Sequence, residues 1–385
     1  MHFPRTKLIE KFNELLISNK SQYIVISGEA GVGKSSFIEL LNNSDSFGGY
    51  EVEYIILNTE SSLESVEISN KNANLIIINN YFPINISEIR TFIDYNLPDS
   101  RIIFTSEAQI IETNVVNFQL WWISFREYCE WMGLIIDIQA IMTWTESIQE
   151  LNSFRDRYIH LGHNISNIDN PENIQSSFDR KLSIMNQELF KKEEGDFLEF
   201  IRTVAMNVGD IFKEERIAKN MNISRRKVRK YTEIILKHNL IRGIGPWLEN
   251  PATELSRHVK VYFSDLSDFH AALGVWYYLG EGKQWVIENF VLLELDRKLS
   301  STHEIRFYRK KSGAEVNFIL VENITKKLTP IVVTTKSSGI IPQSLKTFQE
   351  TYGSRIEHAM ILNDTITEQR ELDWIPVVII PHVAI

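Results

Sequence analysis

Cysteine is almost missing from this chain. Cys129 is the single one among 385 residues, so no intrachain disulfide can form and no cysteine cluster can hold a metal. A reducing cytoplasm is the setting this composition predicts. Long apolar runs are missing too. The most apolar stretch, around Leu120-Trp121-Trp122-Ile123, is soon broken by Arg126, Glu127 and Glu130, far short of the ~18 uncharged residues of a membrane span. Met1-His2-Phe3-Pro4-Arg5 carries no apolar signal core. Excess positive charge is also absent. The formal net charge of −9 excludes a chain coated in basic charge and leaves room for a local basic face only. Internal repeats and low-complexity tracts are not found.

What the chain does have is apolar content. At 43% hydrophobic residues it can fill packed cores, and its length predicts two to four domains at roughly 150 residues each. The most specific feature is Gly28-Glu29-Ala30-Gly31-Val32-Gly33-Lys34-Ser35, a complete phosphate-binding P-loop. Its glycines let backbone N–H groups turn toward phosphates. Lys34 reaches the β- and γ-phosphates, and the Ser35 hydroxyl is the ligand for Mg²⁺. Tyr23 to Ser27 before it reads as a buried strand. Ser36-Phe37-Ile38-Glu39-Leu40-Leu41 after it reads as a helix, whose N-terminal dipole adds to the anion site. ATP with Mg²⁺ is the expected ligand.

An amphipathic helix is expected over residues 6–18, before the P-loop strand. Short apolar runs follow at Val52 to Leu57, Leu75 to Ile78, Arg101 to Thr105 and Trp122 to Phe125. Interleaved with helical stretches, they predict a parallel α/β sheet of the NTPase kind. From about residue 136 the pattern turns helical, with helices at Ile138 to Leu161 and Ile174 to Phe190. Gly243-Ile244-Gly245-Pro246 reads as a turn. The last part combines a helix, Lys283 to Leu299, with strands at Ile305 to Tyr308, Glu315 to Val321, Pro330 to Thr335, Ala359 to Leu362 and Val377 to Ile380. The expected division is a P-loop core over 1–135, a helical lid over 136–190, a helix-turn-helix (winged-helix) module over 191–265 and a small α/β domain over 266–385.

A P-loop ATPase ends a second apolar strand in Asp, which holds the Mg²⁺ shell, and then Glu, which polarises the attacking water. Here Leu75-Ile76-Ile77-Ile78 is followed by Asn79-Asn80. An amide accepts a hydrogen bond from a metal-bound water but carries no charge, and Asn80 cannot act as a base. Thr105-Ser106 ends another strand where such folds put a polar residue that senses the γ-phosphate.

Glu215 to Ser224 reads as helix, tight turn and Ser N-cap, and Arg225 to Lys237 as the next helix, with Val228, Tyr231, Ile235 and Leu236 on its apolar side. That is a helix-turn-helix pattern, with Leu240-Ile241-Arg242 and Lys260 to Phe263 as wing strands. The second helix bears Arg225, Arg226, Lys227, Arg229 and Lys230. Two readings stand: phosphate contacts in a DNA groove, or a packing module with a solvated charged face.

Several motifs in order give a family resemblance. They are the P-loop, Ile123-Ser124-Phe125-Arg126-Glu127-Tyr128, Lys260-Val261-Tyr262-Phe263-Ser264-Asp265, Glu288-Asn289, Tyr308-Arg309 with Gly313-Ala314-Glu315-Val316-Asn317-Phe318, and Ile331-Val332-Val333-Thr334-Thr335-Lys336-Ser337. Over nearly its whole length the chain resembles prokaryotic AAA-type ATPases with a C-terminal domain related to the PD-(D/E)XK nuclease fold. The resemblance implies an ATPase core, a winged helix and a nuclease-like module, with a protein partner as the module's expected contact. Departures are specific. Asn79-Asn80 replaces the Asp-Glu pair, and an expected arginine is absent from Val115 to Leu120. Asn317 stands for Asp and Thr334 for Glu, leaving Glu288, Glu315 and Lys336 of the implied nuclease set. That chemistry needs carboxylates on one or two Mg²⁺ ions, so an inactive docking fold is the expectation. The function expected is an ATP-binding switch with slow or conditional hydrolysis. The alternatives are a DNA-binding or scaffolding pseudo-ATPase and, less favoured, an ATP-gated nuclease. The missing arginine leaves the oligomeric state open.

Overall fold

The computed structural model describes residues 5–28, 32–57, 63, 66–80, 86–107, 109–134, 145–190, 193–247, 259–274, 283–299, 302–310 and 313–385. The chain forms two compact units, Met1–Ile123 and Ser124–Ile385.

In the first unit, β1 (Tyr23–Ser27), β2 (Val52–Leu57), β3 (Leu75–Asn80), β4 (Arg101–Ser106) and β5 (Val115–Gln119) form one sheet in the order β2-β3-β4-β1-β5. Every pairing is parallel. Parallel sheets are covered on both faces, which is why the inner strands are unbroken apolar runs rather than alternating ones. Ile24 to Ile26 and Ile76 to Ile78 are fully buried. The helix Lys34–Asn43 is fixed by an aromatic triad. Phe37 stacks on Phe118 of β5, and Phe12 of the helix Thr6–Ser18 meets both rings edge-on.

The fifth strand departs from expectation. It is Val115–Gln119, not Trp122 to Phe125, and Phe125 instead opens the helix Phe125–Trp131. A capping box decides this. The Ser124 Oγ accepts the Glu127 N–H at 3.2 Å, and the Glu127 carboxylate accepts the Ser124 N–H at 2.8 Å. The polar Asn117 and Gln119 hide the strand in the sequence, and β5 needs no second apolar partner because only β1 pairs with it.

The second unit begins with helices. Thr145–Leu161 and Asn173–Asn186 flank a short helix, Ile165–Asp169. Residues 135–144, which include the start of the helix expected at Ile138 to Leu161, lie outside the described residues. Glu194–Ala205, Glu214–Met221 and Arg225–Lys237 follow. Next comes an antiparallel pair, β6 (Ile241–Ile244) with β7 (Lys260–Phe263). Gly243 and Ile244 therefore belong to a strand and not to a turn, because they pair with Val261 and Lys260. After Leu266–Leu273 and Lys283–Lys298 comes a six-stranded mixed sheet in the order β12-β13-β11-β10-β9-β8. Its strands are β8 (His303–Arg309), β9 (Glu315–Glu322), β10 (Leu328–Val333), β11 (Ala359–Asn363), β12 (Glu368–Leu372) and β13 (Ile375–Pro381). The β6 end runs into this sheet. Trp247 donates its N–H to Phe307 O at 2.6 Å and joins a core containing Tyr308, Phe348 and Tyr352.

One buried ion cluster joins the helices to the sheet. Arg155 is 1% exposed. Its guanidinium reaches Asp156 at 2.7 Å, Asn152 Oδ1 at 2.8 Å and, just past β11, Asp364 at 3.0 Å. Burial alone would raise the Asp364 pKa. The His382 hydrogen bond and the Arg155 charge outweigh it and hold the carboxyl well below its usual range. Removing one member of a buried pair strands the other, so Arg155→Ala is expected to cost about 3–5 kcal/mol in urea unfolding. Because the folded pKa is depressed, the Asp364 contribution is present above the unfolded value of about 3.9 and is lost as pH falls toward the folded value. Asp364→Asn is expected to flatten the acid-side loss of stability below about pH 4, read from melting curves.

Candidate functional site

The P-loop leaves the end of β1 and re-enters the described residues at Val32, residues 29–31 lying outside them. Gly28 donates its N–H to Ser106 O at 3.0 Å. A Cβ there would stand 2.6 Å from Leu120 O, so glycine is required by close backbone approach. Gly33, at φ 89°, makes the left-handed turn into the helix Lys34–Asn43. Lys34 is the first residue of that helix, and its Nζ spans the loop to Gly28 O at 2.6 Å. Ser35 donates its hydroxyl to Asn79 Oδ1 at 3.0 Å. Ser36 is the next helical residue, half-buried, above the fully packed Phe37.

The structure thus brings Ser35 and Asn79 together, and Asn80 is the last residue of β3. Thr105 and Ser106 end β4, the strand between β3 and β1. Thr105 is buried. Among the described residues, the helix N-terminus, the lysine and the hydroxyl fit a nucleotide phosphate with its ion. Lys34 and Ser35 are the residues that would hold its phosphates and ion, and the bound ion would supply charge stabilisation there. Asn79 offers that ion a neutral oxygen, and no described carboxylate hydrogen-bonds to Ser35.

The basic helix Arg225–Lys237 has its apolar face at Val228, Tyr231, Ile234 and Ile235. Ile234 replaces the expected Leu236, which is 45% exposed, since the buried stripe continues by three and four. Ser224 caps the helix by accepting the Lys227 N–H at 3.2 Å. Four of the five cations in its first half are spent on neighbouring acids. Arg225 pairs with Glu215 at 2.8 Å and Arg229 with Glu214 at 3.0 Å. Lys227 pairs with Asp196 at 2.5 Å and Lys230 with Glu193 at 2.9 Å. Arg226 is exposed, with no ion pair among the described residues.

Glu288, Glu315 and Asn317 come together on a cavity of about 370 Å³ also lined by Gln284, Trp285 and Arg309. Lys336 is exposed beyond β10 and is not among the residues that line it. Two residues that sequence reasoning treated only as part of a motif complete the cluster. Lys260, 1% exposed, donates to Glu288 Oε1 at 3.0 Å and pairs with Glu315. Tyr262 donates its hydroxyl to the same Glu288 oxygen. Their period-two spacing on β7 is the signal that could have found them. Burial opposes the Lys260 charge, but Glu288 and Glu315 outweigh it and its pKa is raised. Burial and Glu288 push Tyr262 well up.

A metal does not fit this cluster as it stands. The Asn317 Oδ1 accepts the Val333 N–H at 3.0 Å, which turns its Nδ2 toward Glu288 Oε2 at 2.7 Å. The amide therefore presents a donor where a ligand oxygen is needed. Among the described residues no group of three or more His, Cys, Asp or Glu is placed to hold a metal ion.

The first unit is a P-loop NTPase sheet, and the second ends in a mixed α/β sheet domain. A family model described as a domain of unknown function (DUF8612) matches residues 173–276. The chain is 24% identical over 172 residues to uncharacterized protein Rv2008c of Mycobacterium tuberculosis and, at the same level, to uncharacterized protein Mb2031c of Mycobacterium bovis. The match takes in 41% of this chain and only 38% of the length of each of these curated relatives. Among solved structures, AMPPCP-bound DnaA from Aquifex aeolicus is 12% identical, over 60% of this chain and 86% of that one, with a TM-score of 0.29. A DNA replication initiation factor is 12% identical, over 60% and 90%, with a TM-score of 0.25. Drosophila ORC bound to DNA is 13% identical, over 70% and 87%, with a TM-score of 0.19. Among the described residues no helix is long and apolar enough to cross a membrane.

Gly28→Ala is expected to overpack the loop against Leu120 O, costing about 1–3 kcal/mol in thermal unfolding. A fluorescent ATP analogue should bind this variant at least about tenfold more weakly, the loss following from the displaced cradle.

Proposed function

We propose that the protein is an AAA-type ATP-binding protein with slow or conditional hydrolysis, acting as a nucleotide-dependent switch. The observation that carries this is the Ser35 hydroxyl bonded to Asn79, beside the Lys34 helix N-terminus. The phosphate-binding half of an ATPase is present, and the strand end facing it is uncharged. A neutral amide stabilises Mg²⁺ less than a carboxylate does, and Asn80 cannot take a proton from water. ATP therefore binds and persists, and the bound state is the signal. In this reading the chain is a P-loop core, a helical lid, a winged-helix module and a nuclease-like α/β domain. The last three respond to the nucleotide, and the nuclease-like domain serves docking rather than cleavage.

Lys34→Ala is expected to weaken Mg²⁺-ATP binding by at least tenfold in calorimetric titration, on the order of the loss of one charge-assisted contact. Unchanged binding would overturn the reading. Asn79→Asp/Asn80→Glu is expected to raise steady-state turnover by roughly 10²–10⁴, the worth of a restored base.

The ion pairs on the basic helix favour a second reading of that element, a protein-packing module and not a DNA reader. Duplex contact through it would have to displace Glu214, Glu215, Asp196 and Glu193 from their partners. Retention of a short duplex is expected to be weak and to vanish between about 50 and 200 mM salt. Glu214→Gln, which frees Arg229, is expected to strengthen it in a gel shift. Tight wild-type binding that falls steeply with salt and is lost on replacing Arg225, Arg226 and Arg229 would restore a DNA role.

A further inference from the structure

The nuclease-like centre contains a cation of its own. Two buried or half-buried carboxylates, Glu288 from the helix Lys283–Lys298 and Glu315 from β9, converge on one point, and the Lys260 ammonium occupies it. The surroundings are built for an ammonium. Glu288 Oε1 also accepts from Tyr262, Glu288 Oε2 accepts from the Asn317 amide at 2.7 Å, and Glu315 Oε2 lies 3.4 Å from Arg309. Arg309 also reaches Asp210 at 3.6 Å, and Arg216 holds Asp210 at 3.1 Å, so three carboxylates meet three cations and the charge balances without an added ion. Asn317 is the matching change. An Asp there would turn a second negative oxygen toward Glu288, whereas the amide donates to it.

We infer that Lys260 is a tethered substitute for a divalent ion. Its ammonium fills the position where a metal would bridge Glu288 and Glu315, so this centre is metal-independent and structural. The consequence is mechanical as well as chemical. Lys260 and Tyr262 lie on β7, so the same contact fastens the β6–β7 hairpin to the mixed sheet.

The test uses the full chain without nucleotide and Mn²⁺ alone as the probe, followed by electron paramagnetic resonance and by melting temperature. Wild-type protein is expected to show no Mn²⁺ binding that Glu288→Gln abolishes. Lys260→Ala is expected to melt several degrees lower, to bind one Mn²⁺ per chain and to regain stability when it does so. Lys260→Ala/Glu288→Gln is expected to lose that ion, and Lys260→Ala/Asn317→Asp to hold it at least tenfold more tightly. Wild-type binding dependent on Glu288, or a folded Lys260→Ala protein that takes no Mn²⁺, overturns the inference. Should Lys260→Ala fail to fold, Lys260→Arg keeps a cation in place. It is expected to fold and to bind no Mn²⁺, and uptake of the ion by that variant overturns the inference equally.

Discussion

The second unit depends on the carboxylate of Glu288. It is 3% exposed, sits on a helix buried on nearly all sides, and receives Lys260, Tyr262 and Asn317 at once. A buried carboxylate is costly unless its oxygens are fully bonded and a counter-charge is close. Here both conditions are met by residues from two different strands, β7 and β9. The next residue repeats the device with a neutral group. Asn289 accepts the Phe263 N–H at 2.8 Å and donates to Phe263 O at 2.9 Å, which satisfies the end of β7 as a neighbouring strand would. One turn of helix therefore holds the hairpin by side chains alone, and Trp247 extends the hairpin's other strand into the sheet core.

The first unit separates two tasks that usually go together. Holding a triphosphate needs a helix N-terminus and a lysine beside the loop, and both are found where Gly33 turns into the helix that Lys34 opens. Cleaving it needs localised negative charge beside the metal and a base for water. The structure puts the Asn79 amide on that edge, bonded to Ser35. β3 keeps its register with β2 through Asn80, so this strand end forms without a charge, and Asn79 supplies a neutral hydrogen-bond acceptor there.

How much of this was legible in the sequence depends on how local the deciding physics is. The P-loop was legible because glycine spacing, lysine and flanking strand are contiguous, and the strands at Leu75 and Arg101 because runs buried on both faces are continuous. The helix-turn-helix was legible through Ser224, a cap whose effect is one turn long. β5 was missed because an edge strand tolerates Asn117 and Gln119, so its pattern fades. Trp122 to Phe125 was misread as a strand because apolar content is not conformation; Ser124 and Glu127 carried the opposite instruction. The Lys260 cluster was not legible as a site, because its members are brought together by long-range topology from three separate elements.

The basic helix shows why composition underdetermines a surface. Five cations within six residues of an acidic chain stand out in the sequence. In three dimensions the acidic excess is found again around them: Glu193 and Asp196 precede the helix-turn-helix, and Glu214 and Glu215 open its first helix. An exposed pair of this kind is worth little to stability, about 0–1 kcal/mol. Its effect on recognition is larger, because a phosphate must compete with a carboxylate already at contact distance. Acids at the start of the helix Glu214–Met221 also suit that helix's own dipole, so they have a structural reason to stay where they are. The same Glu214 that stabilises one helix terminus therefore masks the next helix's charge, and a single residue couples the fold of the motif to what it can bind.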